Sequence, residues 1–183
     1  MNIMDNKNEF KPYIPANKIV PEFTVTSVLI GIILAIVFGA ANAYLGLLVD
    51  MTISASIPAA VISMGIIRII LRRDSILENN LVQTIGSAGE SLAAGAIFTL
   101  PAPFLWAKEG KMDYPSILTI FLIALFGGIL GVCFMVTLRQ ALIVEEHGTL
   151  PFPEGTACAE VLLAGEEGGS KAGAVLSGLG IAA

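Results

Sequence analysis

Charge is the scarcest property of this chain. Asp, Glu, Lys and Arg make up 14% of its 183 residues, against 55% apolar residues. Soluble domains carry about a quarter charged residues, and the mean hydropathy here is +0.82. A solvated globular domain is therefore excluded and a membrane-embedded one implied. Histidine occurs once, and the two cysteines, Cys133 and Cys158, lie far apart in sequence. That excludes zinc-type ligand spacing and a paired redox motif, and leaves the thiols as small apolar groups filling helix contacts. No nucleophile–base pairing appears either, so the residues give an enzyme no support. The net charge of −5 carries little weight, because membrane orientation follows Lys and Arg in short loops.

What the chain does have is long apolar runs. Residues 1–22 mix lysines, acids and prolines and read as a solvated cytoplasmic tail. The transmembrane domain, residues 23–183, follows. Its first span, about 23–49, is long enough to cross a hydrocarbon core of roughly 30 Å and too long for a signal-peptide core. Further spans are expected at about 53–71, 81–106 and 116–138. Residues 151–164 are too short and proline-rich to cross, and read as a re-entrant or interfacial helix. A last apolar segment, 172–183, begins a further span, so the chain is expected to be the N-terminal piece of a longer protein. The fold class is all-α: a polytopic transmembrane helical bundle with discontinuous or re-entrant helices.

With the N-terminus inside, Lys7, Lys11, Lys18, Arg68, Arg72, Arg73 and Arg139 fall on the cytoplasmic side, and only Lys108 and Lys111 face out. The positive-inside rule therefore places the N-terminus in the cytoplasm. Trp106 and Tyr114 stand where interfacial aromatics belong at the outer boundary.

Small residues recur at every fourth position. Gly31, Ala35, Gly39 and Ala43 do so in the first span, and Ser87, Ser91, Gly95 and Thr99 in the third. The fourth span holds Gly127 and Gly131 in a GxxxG. Such stripes let helix backbones approach closely in lipid.

Polar interruptions mark the candidate site. Residues 52–60, Thr-Ile-Ser-Ala-Ser-Ile-Pro-Ala-Ala, are polar and proline-broken inside an apolar run. Backbone without internal hydrogen bonds survives at membrane depth only when packed in protein or lining a wet cavity. Discontinuous helices of this kind hold substrate and ion sites in secondary transporters. Similar mixtures recur at 83–91 and 151–160. Gln83, Ser87 and Glu90 share one helical face, and a carboxylate at membrane depth must face the bundle interior or water. Glu90 is thus a proton-coupling or amine-binding candidate, or a structural carboxylate bonded to a neighbouring helix. Asn42 and Tyr44 offer an amide and a phenol, although Asn in a membrane helix more often bonds another helix. Either Ser54, Ser56 and Ser63 bond their own helix backbone, or Pro58 and its neighbours open backbone groups toward a cavity. Glu154 and Thr156 suit the opening turn of a helix by capping and dipole, or present Glu154 to substrate. Glu160 lies near the opposite side of that helix.

Other motifs fail. The Gly165–Lys171 run departs from a phosphate loop at Ser170 and Ala172, and its glutamates would repel phosphate. His147, beside Glu145 and Glu146, reads as a loop residue. No metal site, cofactor or nucleic-acid partner is expected.

Several blocks in order resemble the oligopeptide transporter (OPT) family: Asn42-Ala-Tyr-Leu-Gly46, Met51-Thr-Ile-Ser-Ala-Ser-Ile-Pro-Ala-Ala60, and Glu78-Asn-Asn-Leu-Val-Gln-Thr-Ile-Gly-Ser-Ala-Gly-Glu90. Phe98-Thr-Leu-Pro101 and Pro151-Phe-Pro-Glu-Gly-Thr-Ala157 follow. The resemblance covers about 21–169 and looks closest to the prokaryotic branch. It implies a much longer polytopic helical carrier in the cytoplasmic membrane, a proton-coupled importer of small peptides. The yellow-stripe-like branch moves metal chelates instead. Asn42, Tyr44, Gln83, Ser87, Glu90 and Glu154 sit inside the matching blocks as substrate or proton-coupling candidates. The expected partners are a small peptide or metal chelate, protons and the lipid bilayer, with homo-oligomerisation left open. The contrasting expectation is a non-transporting scaffold whose polar residues only lock helices together.

Overall fold

The computed structural model describes residues 13–15, 17–70, 72, 75–146, 148–167, 173 and 177–178. Most of the expected N-terminal tail, Arg73, His147, the departures at Ser170 and Ala172, and nearly all of the expected 172–183 segment lie outside the described residues. Within them the chain is helical, without strands: α1 (Val25–Val49), α2 (Ser56–Met64), α3 (Ile76–Thr99), α4 (Pro101–Lys108), α5 (Ile117–Arg139) and α6 (Pro153–Glu167). Wider π-helical turns extend α2 through Gly65–Ile70 and α5 through Gln140–Glu145. Two helical stretches, Val25–Val49 and Ile117–Glu145, are long and apolar enough to cross a membrane.

Local chemistry sets the helix ends. Thr24 caps α1 in a reciprocal pair with Ser27, their hydroxyls each accepting the other's backbone amide at 3.2 Å, which satisfies two orphan donors. Asp50 closes the same helix in the left-handed conformation, with φ of 57°. Short polar residues tolerate that region better than most. Pro58 falls in the first turn of α2, where its missing N–H would have had no helical partner. Pro101 and Pro153 open α4 and α6 for the same reason. The third apolar segment is thereby divided: α3 ends at Thr99, and α4 restarts at Pro101.

The frame is a parallel pair, α1 with α3. Near their starts, Thr24 Oγ1 donates to Glu78 Oε1 at 2.6 Å. Farther along, a Cβ on Gly31 would stand 2.8 Å from Ile85 Cβ, one on Gly89 would stand 2.5 Å from the Ala35 carbonyl oxygen, and one on Gly46 would stand 2.5 Å from Ile97 Cδ1. The absent side chains are what allow these backbones to meet, as the stripe in α1 leads one to expect. The matching face of α3 differs from the expected one. It presents Ile85, Gly89, Ala93 and Ile97 to α1, while Ser87 and Ser91 line a cavity and Gly95 has nothing within 4 Å.

Helix α2 runs antiparallel to α3. Ser56 meets Ser87 near its start, and Ser63 approaches the Asn79 carbonyl near its end. Together with its π-helical turns it is about 22 Å long, shorter than a hydrocarbon core. Helix α6, also about 22 Å long, lies parallel to α2, with Glu154 against Ser54 and Gly165 against Met64 and Arg68. Ala60, Val61, Met64 and Leu162 form the apolar seam between them, and Leu34, Ile67 and Val82 join α2 to the frame. Helix α5 buries none of its residues within the chain, and its three glycines have nothing within 4 Å.

Candidate functional site

The site begins with the stretch between α1 and α2. Residues 51–55 are non-helical, so their amides need partners from elsewhere. Asn42 on α1 supplies the first, its Oδ1 accepting from Ile53 N at 2.9 Å. Glu90 on α3 supplies the second, its Oε2 accepting from Ala55 N at 3.1 Å. Asn42 Nδ2 then donates to the Glu90 carbonyl at 3.3 Å and to Glu90 Oε1 at 3.5 Å. Asn42 is 3% exposed and Glu90 7%, so both side chains are buried. The carboxylate also faces the start of α2, the end of a helix that favours negative charge.

Glu90 stands about 21 Å along α3 from Ile76 and about 14 Å from Thr99, far from either end. Both short helices begin near this level, and each already has a protein carboxylate at its N-terminus: Glu90 at α2 and Glu154 in the first turn of α6.

A cleft of about 810 Å³ opens between α2, α3 and α6. Ser54, Ser56, Gln83, Ser87, Glu90 and Glu154 supply polar lining, and Ile76, Leu77, Leu162 and Leu163 supply apolar lining. A hydroxyl chain runs along it. Ser54 donates to Glu154 Oε1 in a short hydrogen bond, Ser54 Oγ lies 3.4 Å from Ser56 Oγ, and Ser56 Oγ lies 2.8 Å from Ser87 Oγ. Tyr13 and Ile14 cover one end of the cleft, where the Tyr13 hydroxyl donates to Glu166 Oε2 at 3.0 Å.

Glu154 lies outside the two membrane-crossing stretches. Hydrogen bonds from Ser54 and then Ser56 hold its carboxyl below the usual 4.5, against a smaller opposing effect of burial. An ionised carboxylate at a cleft wall is suited to meet a cation. Beside it, burial and then the Glu154 charge push the Cys158 thiol above 9.0, so this group is a neutral lining thiol rather than a nucleophile. Gln83 Nε2 reaches its sulfur at 3.9 Å. Among the described residues no cluster of His, Cys, Asp and Glu is arranged to hold a metal.

Four of the six residues singled out in the sequence, Gln83, Ser87, Glu90 and Glu154, therefore line one cleft. Asn42 stands behind Glu90, and Tyr44 is 68% exposed on α1, away from the lining. Glu160 is exposed and also lies outside it. The sequence reading missed Ser54 and Ser56, which bond across helices instead of to their own backbone. Only Ser63 keeps the expected local bond, to the Ala60 carbonyl at 2.8 Å. The polar run around Pro58 was the available signal for the other two.

Comparison with known proteins bears on what the cleft belongs to. Residues 22–182 match the family described as OPT oligopeptide transporter protein. A Haemophilus influenzae protein named "Putative oligopeptide transporter" is 44% identical over 130 residues, which cover 71% of this chain and 19% of that protein. The chain thus spans about a fifth of the length of the curated relative it matches. No solved structure matches it.

Proposed function

The chain belongs to the OPT oligopeptide transporter family, and on that premise we propose that it forms one wall of the cargo site in a proton-coupled importer of small peptides. The carrying observation is the cleft between α2, α3 and α6, bounded by two short parallel helices and lined by Gln83, Ser87, Glu90 and Glu154. Short helices that start inside the membrane place polar groups at the midplane, where alternating access needs them.

In this reading the cleft holds the amino end of the peptide. Its ionised wall group is Glu154, and the described lining contains no Lys or Arg. The ammonium sits against Glu154, Gln83 and Ser87 supply hydrogen bonds to peptide groups, and the apolar lining takes side chains. Glu90, deeper and nearly enclosed, carries the transported proton. The N-terminus faces the cytoplasm, and the protein resides in the cytoplasmic membrane.

Competition binding to the full-length protein tests the cargo assignment. A tripeptide with a free amine should displace labelled tripeptide, and its N-acetylated form should do so far less well. Displacement by a metal chelate and by neither peptide would move the reading to the chelate branch. Binding of none of these by folded protein would favour the scaffold.

A further inference from the structure

We propose that Glu90 is a positioning residue and not a ligand of the cargo: with Asn42 it fixes the loop that presents Ser54 to Glu154. The inference rests on the cargo reading above only for what Glu154 binds. Its geometry stands alone. Both Glu90 carboxylate oxygens are committed to protein, one to Ala55 N and the other to Asn42 Nδ2. Asn42 in turn holds Ile53 N. The two amides flanking Ser54 are thus pinned from behind, by side chains of α1 and α3. The hydroxyl between them is left to reach Glu154 on α6.

This arrangement links a proton to the cleft without contact between cargo and Glu90. A carboxylate accepts at both oxygens, whereas its protonated form donates from one of them. A proton on Oε2 would face the Ala55 N–H, and a proton on Oε1 would face the Asn42 amide hydrogens. In the first case the Ala55 bond to the loop is lost directly; in the second Asn42 is left on the Glu90 carbonyl alone, and its hold on Ile53 N weakens. Other titratable groups near Glu90 are few. Helix α1 has none along Val25–Val49 apart from Tyr44, which points away, and α2 has none along Ser56–Met64. Glu154 and Cys158 of α6 and Tyr13 of the N-terminal segment line the same cleft. On α5 only Cys133 and the terminal Arg139 titrate, both exposed.

Hydrogen exchange over residues 51–56 of the unliganded full-length protein, compared with the intrinsic rate at each pH, tests the linkage. Protection should fall about tenfold as Glu90 takes its proton, the equivalent of one hydrogen bond. In Glu90→Gln it should be low at every pH. The same variant should weaken free and N-acetylated tripeptide equally, whereas Glu154→Gln should weaken only the free form. Protection that ignores pH in the wild type contradicts the proposal, and needs no variant that folds. So does a Glu90→Gln defect confined to the free amine, which would make Glu90 the ligand. If the wild type binds neither tripeptide while exchange remains governed by Glu90, the cargo reading falls and the linkage stands.

Discussion

Asn42 and Glu90 hold each other across the α1–α3 seam, the amide donating to both the backbone and the carboxylate of its partner. The pair is possible only because the two helices approach so closely. It sits between the Gly89–Ala35 contact and the Gly46–Ile97 contact. Close packing thus places two polar side chains where they can satisfy a broken helix, and the broken helix gives the cleft its hydroxyl wall.

Removing the amide should expose this dependence. Asn42→Ala leaves the partly buried Ile53 N–H without its acceptor and the buried Glu90 oxygens without their donor, a loss of about 1–3 kcal/mol. Thermal unfolding of the full-length protein should show a lower midpoint. Asn42→Asp should be worse than its size suggests, because it sets a second carboxylate against Glu90.

The glycines of the seam should rank by what a methyl group would meet. At Gly89 the added carbon would stand 2.5–2.7 Å from Ala35 backbone and side-chain atoms, whereas at Gly39 the nearest atom is 3.1 Å away. Gly89→Ala therefore requires the helices to move apart, an overpacking cost of about 1–3 kcal/mol. Gly39→Ala should cost less. Unfolding midpoints of the two variants check the order.

Peptide binding should survive moderate acid and then fail. The Glu154 carboxyl lies below its usual 4.5, so its negative charge persists as pH falls and disappears only on passing through that lowered value. Ser54→Ala removes the larger of the two stabilising hydroxyls and should move the acid loss of binding to higher pH. Tripeptide affinity measured across the acid range gives the comparison.

The Tyr13–Glu166 hydrogen bond lies on the surface, where a single bond contributes about 1 kcal/mol. Tyr13→Phe should leave the unfolding midpoint nearly unchanged. Should it raise the rate of peptide entry, the N-terminal segment would be shown to restrict the cleft.

How much of this was legible beforehand depended on what each signal encodes. The α1 stripe of Gly31, Ala35 and Gly39 identified a true contact face, since nothing but close packing fits it. The corresponding stripe on α3 misled. Ser87 and Ser91 are small but also polar, and the cleft claims them, while Gly89 and Ala93 on the next face meet α1. Periodicity alone does not say which of two faces meets a partner. The polar run before Pro58 marked a break in the helix, yet the roles of Ser54 and Ser56 depend on Glu154, a hundred residues away in sequence. Glu90 was visible as a costly charge, but its bonds to Asn42 and Ala55 arise only from the fold.

The central claim is that this cleft serves proton-driven peptide uptake. Its most direct test is entry of a labelled tripeptide into proteoliposomes of the full-length protein, with and without an inward proton gradient. The account predicts saturable uptake that the gradient accelerates, lost in both Glu90→Gln and Glu154→Gln while the protein stays folded. Uptake indifferent to the gradient, or preserved in both variants, would contradict it.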